Sequence, residues 1–135
     1  RLDPKLRKLM AGIEKRTETN DVLHLTVAIN YGGRDELARA AHRLAEDVAA
    51  GRISPDQVGE AALNDRLDTA DLPDPDLVIR TSGEARISNF LLWQSAYAEY
   101  EFTETLWPDF KPAELAAILE RFARRERRYG GALTA

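Results

Sequence analysis

Ten consecutive residues carry the clearest chemistry: Arg80-Thr81-Ser82-Gly83-Glu84-Ala85-Arg86-Ile87-Ser88-Asn89. Two guanidiniums six residues apart can each fork onto phosphate oxygens. Small residues between them let backbone N–H groups approach an anion, and Thr81, Ser82 and Ser88 add hydroxyl donors. At about 1.5–3 kcal/mol per charged hydrogen bond, two arginines can hold a diphosphate that one could not. Ser88 can also open a helix, whose N-terminus favours negative charge. The same residues read equally as an ordinary polar turn with surface arginines, and no GxxxxGKS pattern decides between the two.

Three further groups could take part. Glu99 lies in an apolar, aromatic stretch, where a carboxylate is costly unless it is paired or bound to metal. The alternative is a solvated strand carboxylate alternating with Tyr100. Arg121, Arg124, Arg125, Arg127 and Arg128 precede Tyr129-Gly130-Gly131, which reads first as cations at a helix C-terminus with glycine as the stop. Asn30-Tyr31-Gly32-Gly33-Arg34 is a strand-to-helix turn whose glycines permit positive φ or close backbone approach. Phe90, Trp93 and Tyr97 fall at i, i+3 and i+7 and read as a core stripe. His24 and His42 read as structural or exposed.

The elements that must position these groups follow from periodicity. Asp3-Pro4 starts a helix carrying Leu6, Leu9, Met10 and Ile13. Leu23, Leu25, Val27 and Ile29 alternate as a strand does. A second helix buries Leu37, Ala41, Leu44 and Val48 and stops at Gly51. Ser54-Pro55-Asp56-Gln57 has the form of a capping box opening a shorter helix. Leu77-Val78-Ile79 is a buried strand, Ser88 to Tyr97 a short helix, and Glu99 to Phe102 a third strand. Leu115, Ile118, Leu119 and Phe122 mark a terminal helix. Strands separated by helices predict an α/β fold with a mainly parallel sheet, whose ligands bind beyond the carboxyl ends of the strands.

Composition narrows the classes. The 135 residues suit one domain. The 44% apolar and 31% charged content reads as a soluble globular chain. No apolar run approaches the roughly 18 residues of a membrane span, and no signal peptide is visible. Zero cysteines exclude disulfides and thiolate metal sites, and two histidines argue against a histidine-rich zinc site. A net charge of −4 argues against a nucleic-acid partner.

Asp76 through Glu84, then Arg86 through Gln94, Ala96 through Tyr100 and Leu106 through Phe110, resemble the signature of cis-prenyltransferases such as undecaprenyl diphosphate synthase. Asn30 through Glu36 is similar to a second motif of that family, and the match runs from about His24 to Gly130. The resemblance implies a cis-prenyltransferase-like α/β fold and a Mg²⁺-dependent condensation of isopentenyl diphosphate with an allylic diphosphate, giving a cis double bond. It implies that Arg80, Arg86, Ile87 (through its backbone) and Ser88 bind the diphosphate of isopentenyl diphosphate. Glu84, Asn89 and Arg34 take supporting roles, and Glu99 is a Mg²⁺ ligand. Arg128 and Gly130 match a terminal Arg-x-Gly that reaches the neighbouring subunit of a homodimer. A cytoplasmic enzyme is implied, or one peripheral at the membrane through its lipid product. Ala85 departs from the glutamine or histidine of many relatives, which removes an auxiliary contact beside the metal.

The family's early Asp-Gly-Asn-x-Arg-Trp motif has no counterpart here, and the chain begins at Arg1. Residues 1–135 are therefore expected to be the C-terminal portion of a single cis-prenyltransferase domain, inactive alone. Two other readings are a non-catalytic partner subunit that donates the terminal Arg-x-Gly, and a generic phosphate-binding α/β module.

Overall fold

The computed structural model describes residues 2–125. The chain divides into two compact units, residues 1–30 and 31–135.

The first unit is built on α1 (Pro4–Thr17). Asp3 caps it as the sequence predicts, its Oδ1 accepting from Lys5 N at 2.7 Å, with Pro4 at the first position. No residue of α1 is buried. The alternating stretch after it forms no strand. Leu23, Leu25 and Val27 are 78%, 78% and 66% exposed, and no described strand pairs with them. Alternation gives a segment a strand's faces, but only a neighbouring ladder satisfies its backbone N–H and C=O groups.

The second unit opens with α2 (Gly33–Ala49), which buries Gly33, Glu36, Ala40 and Leu44. The buried stripe is thus rotated from the predicted one and includes a carboxylate. Gly51, at φ +68°, ends the helix in the left-handed region. Gln57 Oε1 accepts from Ser54 N at 2.8 Å, but this capping pair opens only a 3₁₀ turn, Pro55–Gln57. The five-residue α3 (Glu60–Asn64) follows.

Strand β1 (Leu77–Arg80) pairs in parallel with β2 (Glu99–Phe102), in the register Leu77↔Glu99 to Arg80↔Phe102. The α/β class and the parallel pairing are as the sequence predicts. A 3₁₀ turn (Trp107–Asp109) leads to α4 (Pro112–Ala123), whose Ile118 is fully buried with Ala40, Leu44 and Leu67 in the apolar core.

The predicted helix from Ser88 to Tyr97 is instead a series of turns. Ser88, Asn89 and Leu91 sit at φ +52°, +65° and +44°, a region each L residue enters at a cost of roughly 1–2 kcal/mol. Tertiary bonds outweigh that cost. Asn89 and Gln94 are fastened to α2, and Ser95 Oγ donates to Leu91 O at 2.6 Å. The aromatic stripe consequently fails to form the core. Tyr97 is 82% exposed, while the polar Gln94 and Ser95 are buried in its stead.

Candidate diphosphate-binding site

Arg80 is the last residue of β1, and its position in the register fixes where it points. Side chains alternate across a sheet, so Val78 and Arg80 share a face with their partners Tyr100 and Phe102. The Tyr100 and Phe102 rings stack on that face, 6.0 Å apart and 14° from parallel. Beyond the carboxyl end of β1 the chain folds back over this face and encloses a cavity of about 440 Å³. Arg80, Thr81, Ser82 and Arg86 form its polar wall, and Val78, Ile87, Phe90, Tyr100 and Phe102 its apolar wall.

The turn that joins the two arginines is held from outside the cavity. Ser82 N donates to Thr105 O and Gly83 N to Thr103 O, both at 2.9 Å, and Thr103 N donates to Arg80 O. Ser82 and Gly83 take φ +72° and +66° to make these bonds. A Cβ on Gly83 would be strained at that φ and would have to displace the carboxylate end of Glu104, 2.5 Å away. The Ser82 and Gly83 amides are therefore committed to residues 103–105. Recognition is left to the side chains of the loop and to Ile87, which lines the cavity.

Those side chains converge. Arg80 Nη2 lies 3.5 Å from Ser88 Oγ, the outer limit of a hydrogen bond. Arg86 Nη2 pairs with Glu84 Oε2 at 2.6 Å. That pair is exposed and adds little stability, but it orients the Arg86 guanidinium. Among the described residues no carboxylate pairs with Arg80, which leaves its positive charge uncompensated at the cavity.

Asn89 links this loop to the turn before α2. Its backbone O accepts from Gly33 N at 2.7 Å and its Oδ1 from Arg34 N at 2.9 Å. The Arg34 side chain is exposed and does not line the cavity. Phe90 packs edge-on against Tyr31, with centroids 5.6 Å apart. Tyr31 in turn donates to Glu36 Oε2 at 2.5 Å, and burial, then the adjacent carboxylate, raises its phenol well above the ordinary value. Glu36 also accepts from Asp68 N at 2.9 Å and from Gln94 Nε2 at 3.1 Å. This buried carboxylate went unnoticed in the sequence because its partners lie 32 and 58 residues away. The apolar wall was missed as well, although Val78–Arg80 and Tyr100–Phe102 are same-face pairs readable from strand alternation.

Glu99 does not join the arginines. It lies opposite Leu77, at the far end of the strand pair from Arg80 and on the other face. There Arg125 Nη1 pairs with Glu99 Oε2 at 2.9 Å and Arg125 Nη2 with Glu101 Oε2 at 2.7 Å, while Arg121 holds Glu101 Oε1. These bonds, that to Arg121 first, hold the Glu101 carboxyl below its ordinary range. Magnesium is usually held by one or two carboxylates together with substrate phosphates. A carboxylate already paired with a guanidinium, across the sheet from the cavity, does not fit a cation shared with a diphosphate there. The described residues contain no cluster of three or more metal-ligating side chains. Arg128 and Gly130 lie outside the described residues.

An arginine with no carboxylate partner among the described residues, a second arginine held by its own glutamate, and an apolar wall meet at one cavity, an arrangement chemically suited to an anion carrying a short apolar group. It stands at the carboxyl end of a parallel strand in an α/β fold. Residues 1–130 match the family described as "Putative undecaprenyl diphosphate synthase", and the chain belongs to that family. It is 58% identical over 125 residues to a ditrans,polycis-undecaprenyl-diphosphate synthase ((2E,6E)-farnesyl-diphosphate specific) of Xanthomonas axonopodis pv. citri (strain 306), covering 93% of this chain and 49% of that protein. An isoprenyl transferase of Brucella abortus is 53% identical over 126 residues, covering 93% and 50%. Among solved structures, lavandulyl diphosphate synthase from Lavandula x intermedia, in complex with dimethylallyl diphosphate, matches with a TM-score of 0.91 at 37% identity. That match covers 96% of this chain and 56% of the other. A "probable undecaprenyl diphosphate synthase" from Campylobacter jejuni matches at 0.79 and 39%, covering 96% and 58%. The chain spans about half the length of the curated relatives it matches.

Proposed function

We propose that this chain supplies the isopentenyl diphosphate site of a cis-prenyltransferase, which condenses isopentenyl diphosphate with an allylic diphosphate into a cis-polyprenyl diphosphate. One observation carries the reading: Arg80 and Arg86 line the same cavity, opposite an apolar wall. Guanidinium forks suit the diphosphate, and the aromatic and aliphatic wall suits a five-carbon isoprenyl group. Ser88 Oγ, beside Arg80, adds a donor.

The residues of this chain act by binding and orientation. Arg80 and Arg86 hold the anionic end, and the apolar wall directs the double bond and keeps water from it. Such placement turns a bimolecular attack on the allylic carbon into a nearly unimolecular one. As the new carbon–carbon bond forms, the allylic diphosphate departs with its bonding pair, and a proton lost from the condensing unit restores a double bond. Magnesium dependence is part of the proposal for the full-length protein, but not of the arginine cavity as these residues build it. A cytoplasmic homodimer, peripheral at the membrane only through its lipid product, completes the reading. No described helix is long and apolar enough to cross a membrane.

Calorimetry on the full-length protein tests the assignment. Isopentenyl diphosphate should bind more tightly than inorganic diphosphate, because only the former fills the apolar wall. Equal affinities would reduce the site to a generic phosphate cradle.

A further inference from the structure

Helix α2 lacks a cap of its own. Its N-cap is Gly32, which has no side chain to accept from the first amides, and no side-chain capping bond is made locally. The acceptors come from the other side of the unit. Asn89 O takes Gly33 N at 2.7 Å, and Asn89 Oδ1 takes Arg34 N at 2.9 Å, 55 residues away in sequence. A Cβ on Gly32 would stand 2.9 Å from Asn89 Nδ2, and one on Gly33 3.2 Å from Asn89 O. The two glycines therefore leave the space that Asn89 occupies. Asn89 itself is held at φ +65°, directly after Ser88 at φ +52°. Its two bonds to α2 offset the cost of holding both residues out of the ordinary helical and extended regions.

We propose that Asn89 is a positioning residue: it caps α2 from a distance and thereby fixes the left-handed turn that sets Ser88 beside the Arg80 guanidinium and holds the preceding Arg86 and Ile87 at the cavity. The inference rests on the diphosphate reading of that cavity. Capping and positioning are separable here. Asn89→Ala weakens both, because it removes the Oδ1 bond from Arg34 N and leaves only the backbone bond from Gly33 N. Gly32→Ser in the Asn89→Ala background restores only the first, because the truncated side chain vacates the space a serine Cβ needs. Gly32 also has an extended backbone, φ −151° and ψ 120°, that any residue adopts. A serine there can accept from Arg34 N, the bond Asn89 Oδ1 makes now.

The experiment is steady-state kinetics on the full-length protein, with thermal denaturation of each variant. Asn89→Ala should raise the KM for isopentenyl diphosphate about five- to tenfold, the equivalent of one lost hydrogen bond, and change kcat less. Asn89→Asp keeps the acceptor and should recover most of that KM. Gly32→Ser/Asn89→Ala should regain melting temperature while its KM stays raised. A wild-type KM in Asn89→Ala, or in the double variant, would overturn the proposal and leave Asn89 a helix cap only. Arg80→Ala is run alongside. If it too leaves KM unchanged, the diphosphate reading itself has failed. If Arg80→Ala raises KM and Asn89→Ala does not, only the positioning role is lost.

Discussion

Removing the Arg80 guanidinium should weaken isopentenyl diphosphate binding more than any other single truncation in the loop. Arg80 is half-buried at the cavity, whereas Arg86 is 69% exposed at its side chain and already shared with Glu84. A guanidinium fork offers up to two charge-assisted bonds, each worth about 1.5–3 kcal/mol when well desolvated. The open side of the cavity keeps water near the phosphate, so less than that sum applies, about 2–3 kcal/mol. This corresponds to roughly a 30- to 150-fold rise in Kd. Arg80→Lys should recover part of the loss, because an ammonium keeps the charge but not the fork. The assay is titration calorimetry of the full-length protein with isopentenyl diphosphate, using Arg7→Ala on the exposed face of α1 as the control for overall charge. If Arg80→Ala binds within twofold of wild type while the control behaves as expected, the guanidinium does not contact the ligand and the reasoning from cavity geometry is wrong.

Three other outcomes follow from the same structure. Gly83→Ala should lower the melting temperature, since its φ of +66° is strained for any L side chain and its Cβ would meet Glu104; about 1–2 kcal/mol is expected by chemical denaturation, and an unchanged midpoint would contradict it. Phe102→Ala should weaken isopentenyl diphosphate by about 1–2 kcal/mol through lost apolar contact and leave inorganic diphosphate unaffected, as competition binding would reveal. Glu101 has a folded pKa held below its ordinary 4.5 by Arg121 and Arg125, so its contribution is complete above that value and fades as pH falls through the folded one. Glu101→Gln should therefore lower the melting temperature at pH 7, with the gap to wild type closing in acid. A gap that persists undiminished at pH 2 would assign the loss to packing.

The α/β class and the parallel strand pair are legible in the sequence. The composition of residues 80–89 fits an anion cradle and a polar turn equally, the family resemblance favours the first, and the parallel arrangement puts the loop beyond a strand's carboxyl end. What the sequence misjudged depended on distant partners. Phe90, Trp93 and Tyr97 keep helical spacing, yet Asn89 and Gln94 bond to α2 and pull the segment into left-handed turns. Leu23 to Ile29 alternate like a strand, but alternation cannot supply the ladder a strand needs. Glu99 reads as a magnesium ligand by family resemblance alone, since its aromatic stretch fits a solvated strand carboxylate equally. Register places it on the other face, against an arginine 26 residues further on. Local pattern specifies which groups exist, and pairing decides which of them meet.

The most direct test is a crystal structure of the full-length protein with isopentenyl diphosphate bound. The diphosphate oxygens should lie about 2.7–2.9 Å from guanidinium nitrogens of both Arg80 and Arg86, with the isoprenyl carbons against Phe90 and Phe102. A diphosphate seated elsewhere, with both guanidiniums turned to solvent, would contradict the account.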